Sequence, residues 1–485
     1  MTKPERIFDR DSEWGDLGRF ASARAGAAHV GLVYGRRRQG KSFILRAVAG
    51  EQRAIYHQAL EEEREPALAG IGALIAADAG IGGALTYADW KQAFGELINR
   101  AGGDRPIVLD EFPYLVAKAP ELPSVIQEAF DAASSGGPAF KLLLCGSAMS
   151  IMSQLLSGQR ALRGRVSLEL LVKPFDYRLA AGFWGITDPA TAFLVHAVVG
   201  GTPGYRSLLE GSPPVSVEEF EQWLFEGMLN PSNAMFREVE YLLTEDPAIS
   251  DRALYQSVLA AIAEGHTTRN AVGKVLGRDD AALRHPLLVL ERASFIRRDE
   301  DLWRSKRPLL RLDDPYLRFY FAIVRRNLAR FEAKLTAEAW SESRASFDSQ
   351  VLGPHFEQLA RVWTERYASE RTLGGRPSHV GFTQLNDAQA RSRVELDVVA
   401  VQGNLNAERP HVLAVGEAKA GQATRTAADL GKLERGLDLL RERADVGHAR
   451  LLLFSRAGFA TDLLEIAGSR RDVELIDLDR LYHGD

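Results

Sequence analysis

Three groups of residues in this 485-residue chain have types and spacings that could do chemistry. The first is Gly35-Arg36-Arg37-Arg38-Gln39-Gly40-Lys41-Ser42, which fits G-x-x-x-x-G-K-S/T. Glycines at Gly35 and Gly40 let backbone N–H groups fold around phosphate oxygens. Lys41 is expected to reach the β- and γ-phosphates and the Ser42 hydroxyl to ligate Mg²⁺. The second group is Asp110-Glu111, two carboxylates at the end of Ile107-Val108-Leu109. Asp110 is expected to hold Mg²⁺ through water and Glu111 to polarise the attacking water. A small polar residue, Ser147, follows the apolar run Leu142–Cys145. It is read either as a sensor of the γ-phosphate or as a strand-end turn. The third group is Asp397 with Glu417 and Lys419, a carboxylate followed twenty residues later by Glu-x-Lys. Asp397 and Glu417 could hold Mg²⁺ jointly while Lys419 stabilises a hydroxide that attacks a phosphodiester. Glu357 is a further polar candidate beside them, or an exposed helix carboxylate.

These side chains need elements to position them. His29–Tyr34, Ile107–Leu109 and Leu142–Cys145 are short aliphatic runs bounded by Gly, Pro or charge, as buried strands are. The segment Phe43–Val48 after the phosphate loop is helix-like, so strand, loop and helix come in the order a phosphate site requires. Strands alternating with amphipathic stretches predict an α/β class with a parallel sheet. The expected division is an NTPase core at 1–175, a helical extension at 176–245, three helices and a hairpin at 246–328, a helical linker at 329–346, and a second α/β segment at 347–485. In the middle segment, Leu254, Tyr255, Val258, Leu259 and Ile262 make an amphipathic stripe. A short helix over 268–276 and a third over 281–291 follow. Pro286 should kink or restart the third helix. Phe295–Arg298 and Leu302–Arg304 then read as strands around an acidic turn, Asp299–Asp301.

Composition bounds these readings. Sixty Lys and Arg against 65 Asp and Glu give a net charge of −5, which argues against a chain-wide nucleic-acid coat. Residues 251–326 nevertheless carry 15 Lys and Arg against 10 Asp and Glu, a local +5. The single cysteine, Cys145, excludes a disulfide framework and reads as a buried strand residue rather than a nucleophile. No stretch approaches the ~18 apolar residues of a membrane span, and Met1–Asp11 has no apolar leader, so a cytoplasmic protein is expected.

At this point the sequence resembles the archaeal-type ATPase family, an offshoot of the AAA+ and STAND P-loop NTPases that is also found in bacteria. The resemblance rests on the phosphate loop, Phe8-Asp9-Arg10-Asp11-Ser12-Glu13, Asp110-Glu111-Phe112-Pro113-Tyr114-Leu115, Gly164-Arg165 and Gly200-Gly201-Thr202-Pro203-Gly204-Tyr205. It implies ATP as the nucleotide, although the loop would fit GTP equally. The middle segment, with Asp313-Asp314-Pro315-Tyr316-Leu317-Arg318-Phe319-Tyr320, is similar to that family's winged helix-turn-helix. Arg284 in the third helix and the arginines of the wing are the expected DNA contacts, although winged helices also bind proteins. The carboxyl-terminal segment resembles the PD-(D/E)xK restriction-endonuclease-like domain that closes many of these chains, with Leu396 where a proline is usual. Arg160, Arg163 and Arg165 include a candidate arginine finger, with surface solvation or nucleic-acid contact as equal readings. The combined expectation is a Mg²⁺-dependent ATPase that couples nucleotide state to a winged helix and a nuclease-like domain on DNA. Two alternatives stay open: a nucleotide-controlled signalling switch that assembles with protein partners without nucleic acid, and an ATP-gated defence nuclease; a homo-oligomer is open as well.

Overall fold

The computed structural model describes residues 1–24, 26–156, 161–209, 211–244 and 246–485, with backbone alone at 305–307. Arg160 lies outside the described residues. Five strands, β1 (His29–Tyr34), β2 (Ile55–Gln58), β3 (Pro106–Asp110), β4 (Lys141–Gly146) and β5 (Val166–Leu171), form a sheet in the order β2-β3-β4-β1-β5. Every pairing in it is parallel. Successive side chains of a strand face opposite layers, and both faces here are apolar. Leu142 and Leu144 pack into one cluster with Leu32, Ile107 and Leu109, while Leu143 and Cys145 pack into another with Val33, Val108 and Leu45. Burial on both faces explains why these runs are continuously aliphatic instead of alternating. The register pairs Tyr34 with Gly146 and Leu109 with Leu144, so β1, β3 and β4 all end at one edge of the sheet.

Past the core, the helix Pro189–Val199 is apolar nearly all round and packs into a third cluster. That cluster runs without a break from Tyr177 to Tyr482 and joins the helical extension, the three-helix segment and one face of the carboxyl-terminal sheet. The three middle helices are Arg252–Ala263, Arg269–Leu276 and Asp280–Arg292. Thr268 and Asp279 cap the second and third by accepting from the N–H groups of Ala271 and Ala282. The third helix runs as one element through Pro286 and does not restart there. Pro286 is buried in the seam with Leu283, Leu287 and Leu290, and that packing offsets a lost bond and ring clash of about 3 kcal/mol.

The hairpin also departs from expectation. Its strands are β6 (Ile296–Asp301) and β7 (Arg304–Leu312), so the acidic residues belong to a strand and the turn falls at Leu302-Trp303. The cause lies in a distant strand, β8 (His379–Asp387). The Asp301 carboxylate accepts from Thr383 Oγ1 at 3.0 Å, Gln384 N at 2.8 Å and Trp303 N at 2.9 Å. Leu302 packs against Gly381. The hairpin thereby joins a seven-stranded sheet with β9 (Ser392–Gln402), β10 (His411–Lys419), β11 (Arg450–Ser455) and β12 (Val473–Ile476), in the order β12-β11-β10-β9-β8-β6-β7. Pairings β8–β9 and β9–β10 are antiparallel, whereas β10–β11 and β11–β12 are parallel. No helix among the described residues is long and apolar enough to cross a membrane.

Candidate functional site

The phosphate loop leaves β1 at Gly35. A Cβ there would lie 2.4 Å from the Val172 carbonyl oxygen and 2.7 Å from Gln39 Oε1, so only glycine fits. Gly40 has φ of 88° and begins the helix Lys41–Gln52 from the left-handed region. Lys41 is buried and its ammonium donates to the Arg36 carbonyl at 2.9 Å. Burial pushes its pKa below the ordinary lysine value, while Glu111 and Asp110 pull it back. Ser42, next in the helix, is half-buried. The arginines between the glycines are turned largely to structure. Arg36 pairs with Asp314 at 2.8 Å, and Arg38 makes a bidentate contact with the buried Glu238 at 2.6 and 2.9 Å.

At the end of β3, Asp110 is fully buried. Its Oδ2 accepts from the Tyr56 hydroxyl at 2.5 Å and its Oδ1 from Glu111 N at 3.0 Å. Tyr56 is a neighbour that the sequence did not single out, because it lies on β2 and meets Asp110 across the sheet. Glu111 takes a left-handed backbone, φ 53°, at the head of the helix Phe112–Lys118, which turns its side chain toward the loop. The Ser147 hydroxyl donates to Glu111 Oε2 at 3.3 Å. Burial raises the Glu111 carboxyl above the ordinary glutamate value, with Lys41 opposing the shift. Cys145 is buried in the core, and burial pushes its thiol well up, which leaves it unreactive. Arg165 pairs with Asp131 at 2.8 Å, and Arg163 lies on the surface.

Gly40, Lys41, Ser42 and Glu111 line one cavity of about 790 Å³. Its other wall is apolar. Phe8 meets Phe175 and Phe183 at 5.5 and 5.6 Å, and the Arg10 guanidinium lies 4.4 Å from the Phe175 ring. A charged end and an aromatic end in one cavity suit a ligand that is anionic at one end and a flat ring at the other. The donor set also suits Mg²⁺. Ser42 opens on the cavity, while Asp110, with each oxygen already accepting a hydrogen bond, would support the ion through water.

The carboxyl-terminal group gathers on β9, β10 and the helix Gly353–Arg366. Asp397 Oδ2 accepts from Ala418 N at 2.8 Å. The Lys419 ammonium lies 2.5 Å from Glu417 Oε1 and 3.7 Å from Asp397 Oδ2, so it neutralises both carboxylates. Burial opposes the charge on Lys419, yet those two carboxylates keep its pKa above the ordinary lysine value. Glu357 faces the same group. Burial pushes its carboxyl up to about 7, with the Asp397 charge adding to the shift. Two members were missed in the sequence. Glu395 stands two residues before Asp397 and is raised by burial and by Asp397, and the period-2 pattern of a strand was the signal that could have found it. Arg311, from β7, lies 4.0 Å from Glu357 and carries no local signal at all. Among the described residues no three His, Cys, Asp or Glu side chains converge as metal ligands. A cation bound at Asp397 and Glu417 would therefore complete its shell from water, backbone or substrate.

In the middle segment, Arg284 is exposed on the third helix and lines a groove of about 610 Å³ with Arg269 and Arg298. Much of the local positive charge is already paired. Arg269 meets Asp280, Arg298 meets Glu291 at 2.7 Å, and Arg297 meets Asp299 and Asp313 at 2.7 and 3.2 Å.

No family model matches the chain. A protein of Methanocaldococcus jannaschii described only as uncharacterized is 25% identical over 336 residues, covering 68% of this chain and 71% of its own. Among solved structures, the Walker-type ATPase paby2304 of Pyrococcus abyssi superposes with a TM-score of 0.50 at 21% identity, over 66% of this chain and 97% of that chain. The ORC2 protein of Aeropyrum pernix gives 0.43 at 16% identity, over 69% and 96%. The Pyrococcus likeness shows the fold: the five-stranded parallel sheet is that of a P-loop ATPase core.

Proposed function

We propose that this protein binds and hydrolyses ATP with Mg²⁺ at the loop Gly35–Ser42. The observation that carries this reading is the cavity where Lys41, Ser42 and Glu111 meet an aromatic wall. Lys41 binds the β- and γ-phosphates, Ser42 and Asp110 hold the metal, and Glu111 orients the attacking water. The ion, when bound, neutralises phosphate charge. Phe8, Phe175 and Phe183 take the base. In Lys41→Ala, binding of a fluorescent ATP analogue should be lost while the thermal midpoint stays near that of the wild type. Undiminished binding by this variant would contradict the assignment.

Nucleotide state acts on the middle segment and on the group of Glu357, Asp397, Glu417 and Lys419, which we read as a Mg²⁺-dependent phosphodiester-cleaving site. The winged-helix reading puts DNA in the groove beside Arg284. A second reading, a nucleotide-controlled switch that touches no nucleic acid, draws support from the hairpin. Its tip packs on β8, and Arg297 and Arg298 are held in ion pairs. Gel shifts at several salt concentrations separate the two. Phosphate contacts predict binding that weakens steeply with salt, whereas no binding at low salt favours the switch.

A further inference from the structure

The two candidate sites are joined by four consecutive residues. At one end, Asp314 pairs with Arg36 of the phosphate loop at 2.8 Å, and both side chains are buried. At the other end, Arg311 reaches to 4.0 Å from Glu357 in the carboxylate group. Between them, the Leu312 carbonyl accepts from the buried Arg318 at 3.1 Å, and Asp313 pairs with Arg297 at 3.2 Å. Four residues span at most about 14 Å when extended, so a displacement at one end has little slack in which to be absorbed.

Arg36 is also tied to the nucleotide chemistry. Its carbonyl is the acceptor of the Lys41 ammonium, at 2.9 Å. An incoming phosphate is a stronger acceptor than a backbone carbonyl. Lys41 therefore exchanges the Arg36 carbonyl for phosphate oxygens when nucleotide binds. The Arg36 side chain cannot swing independently of its backbone, since Asp314 holds it on one side and the Phe295 ring lies 4.9 Å from its guanidinium.

We propose that nucleotide occupancy of the phosphate loop sets the position of Glu357 in the carboxylate group through residues 311–314, with Arg36 and Arg311 as the positioning residues. This rests on the function proposed above and adds the route by which the two sites are coupled. Release of the Arg36 carbonyl shifts the buried Arg36–Asp314 pair. The shift passes along the end of β7 and moves the Arg311 guanidinium relative to Glu357. The hairpin thus transmits as well as docks, and the acidic group responds to the nucleotide without touching it.

Hydrogen exchange on the full chain, with and without Mg²⁺-ATP, tests the coupling alongside binding of a fluorescent ATP analogue. In the wild type, ATP should slow exchange in the Lys41–Gln52 helix and change it by about fivefold or more in the 353–366 helix, the lower end of ordinary couplings between sites. Asp314→Asn keeps an oxygen to cap Tyr316 N, now bonded at 2.7 Å, but loses the ion pair. Arg311→Met keeps the bulk of the side chain and loses its charge. Both should still bind the analogue and show the response in 41–52, but lose it in 353–366, and Arg311→Lys should restore it. A response in 353–366 that persists in both variants would overturn the coupling, as would its absence from ATP-bound wild type. A wild type that binds no nucleotide would overturn the ATP site and the coupling together.

Discussion

Asp397 illustrates how far single side chains determine the chemistry available at the carboxyl-terminal group. One of its oxygens is held by Ala418 N, and Lys419 stands 3.7 Å from the same oxygen. The carboxylate is therefore fixed in place, as a metal-holding group should be, and Lys419 stands where it could stabilise a hydroxide. If this group cleaves phosphodiesters, Asp397→Ala should lower Mg²⁺-dependent nicking of plasmid DNA by about 10²-fold or more while ATP binding is retained. Equal nicking by wild type and variant would assign the group a structural role. Residues adjacent along the chain were readable at this scale. Gly35–Ser42, Asp110-Glu111 and Glu417-x-Lys419 follow from local spacing, because loops and strand ends fix their neighbours by backbone geometry alone. Tyr56, Arg311 and the Arg36–Asp314 pair were not readable, since each depends on a contact between residues 46 or more positions apart.

Among the elements, helices Pro189–Val199 and Gly353–Arg366 meet at a histidine pair, His355 buried and His196 partly buried. His196 Nδ1 lies 3.0 Å from His355 Nε2. Burial pushes the His196 pKa down to about 4 and carries His355 well below its ordinary value. In the unfolded chain both titrate near about 6.5. Between these values the unfolded chain binds more protons than the folded one, so stability is complete above about pH 6.5 and falls as the pH drops toward 4. His196 alone makes that loss about 3 kcal/mol. Urea unfolding at about pH 7.5 and about pH 4.5 should show it, and the slope should flatten in His196→Leu/His355→Leu. Stability that does not change over that range would contradict the lowered histidine values. The same scale shows where local patterns mislead. Pro286 stays inside its helix because the Leu283–Leu290 seam holds it, and the acidic stretch Asp299–Asp301 is a strand because β8 supplies donors to Asp301. Strands β8 and β12 themselves were not anticipated. β8 mixes polar and apolar residues and is only partly buried, and β12 is four residues long, so neither presents a continuous aliphatic run.

Taken as a whole, the molecule carries a candidate phosphate site at one edge of the five-stranded sheet, a groove lined by arginines in the middle segment and an acidic group on the seven-stranded sheet. The net charge of −5 conceals this arrangement, and the local +5 overstates how much positive surface is available, because ion pairs occupy much of it. The α/β class and the parallel sheet followed from short aliphatic runs alternating with amphipathic stretches. The union of hairpin and carboxyl-terminal segment in one sheet required the pairing of Asp301 with Phe382, across about eighty residues. The central claim is ATP turnover at the phosphate loop. The most direct measurement is steady-state phosphate release from Mg²⁺-ATP by the wild type and by Glu111→Gln, with nucleotide binding measured on the same preparations. The account predicts turnover by the wild type, and binding without turnover in Glu111→Gln, with a fall of about 10²- to 10⁴-fold. Equal turnover by the two proteins, or none by a wild type that binds ATP, would contradict it.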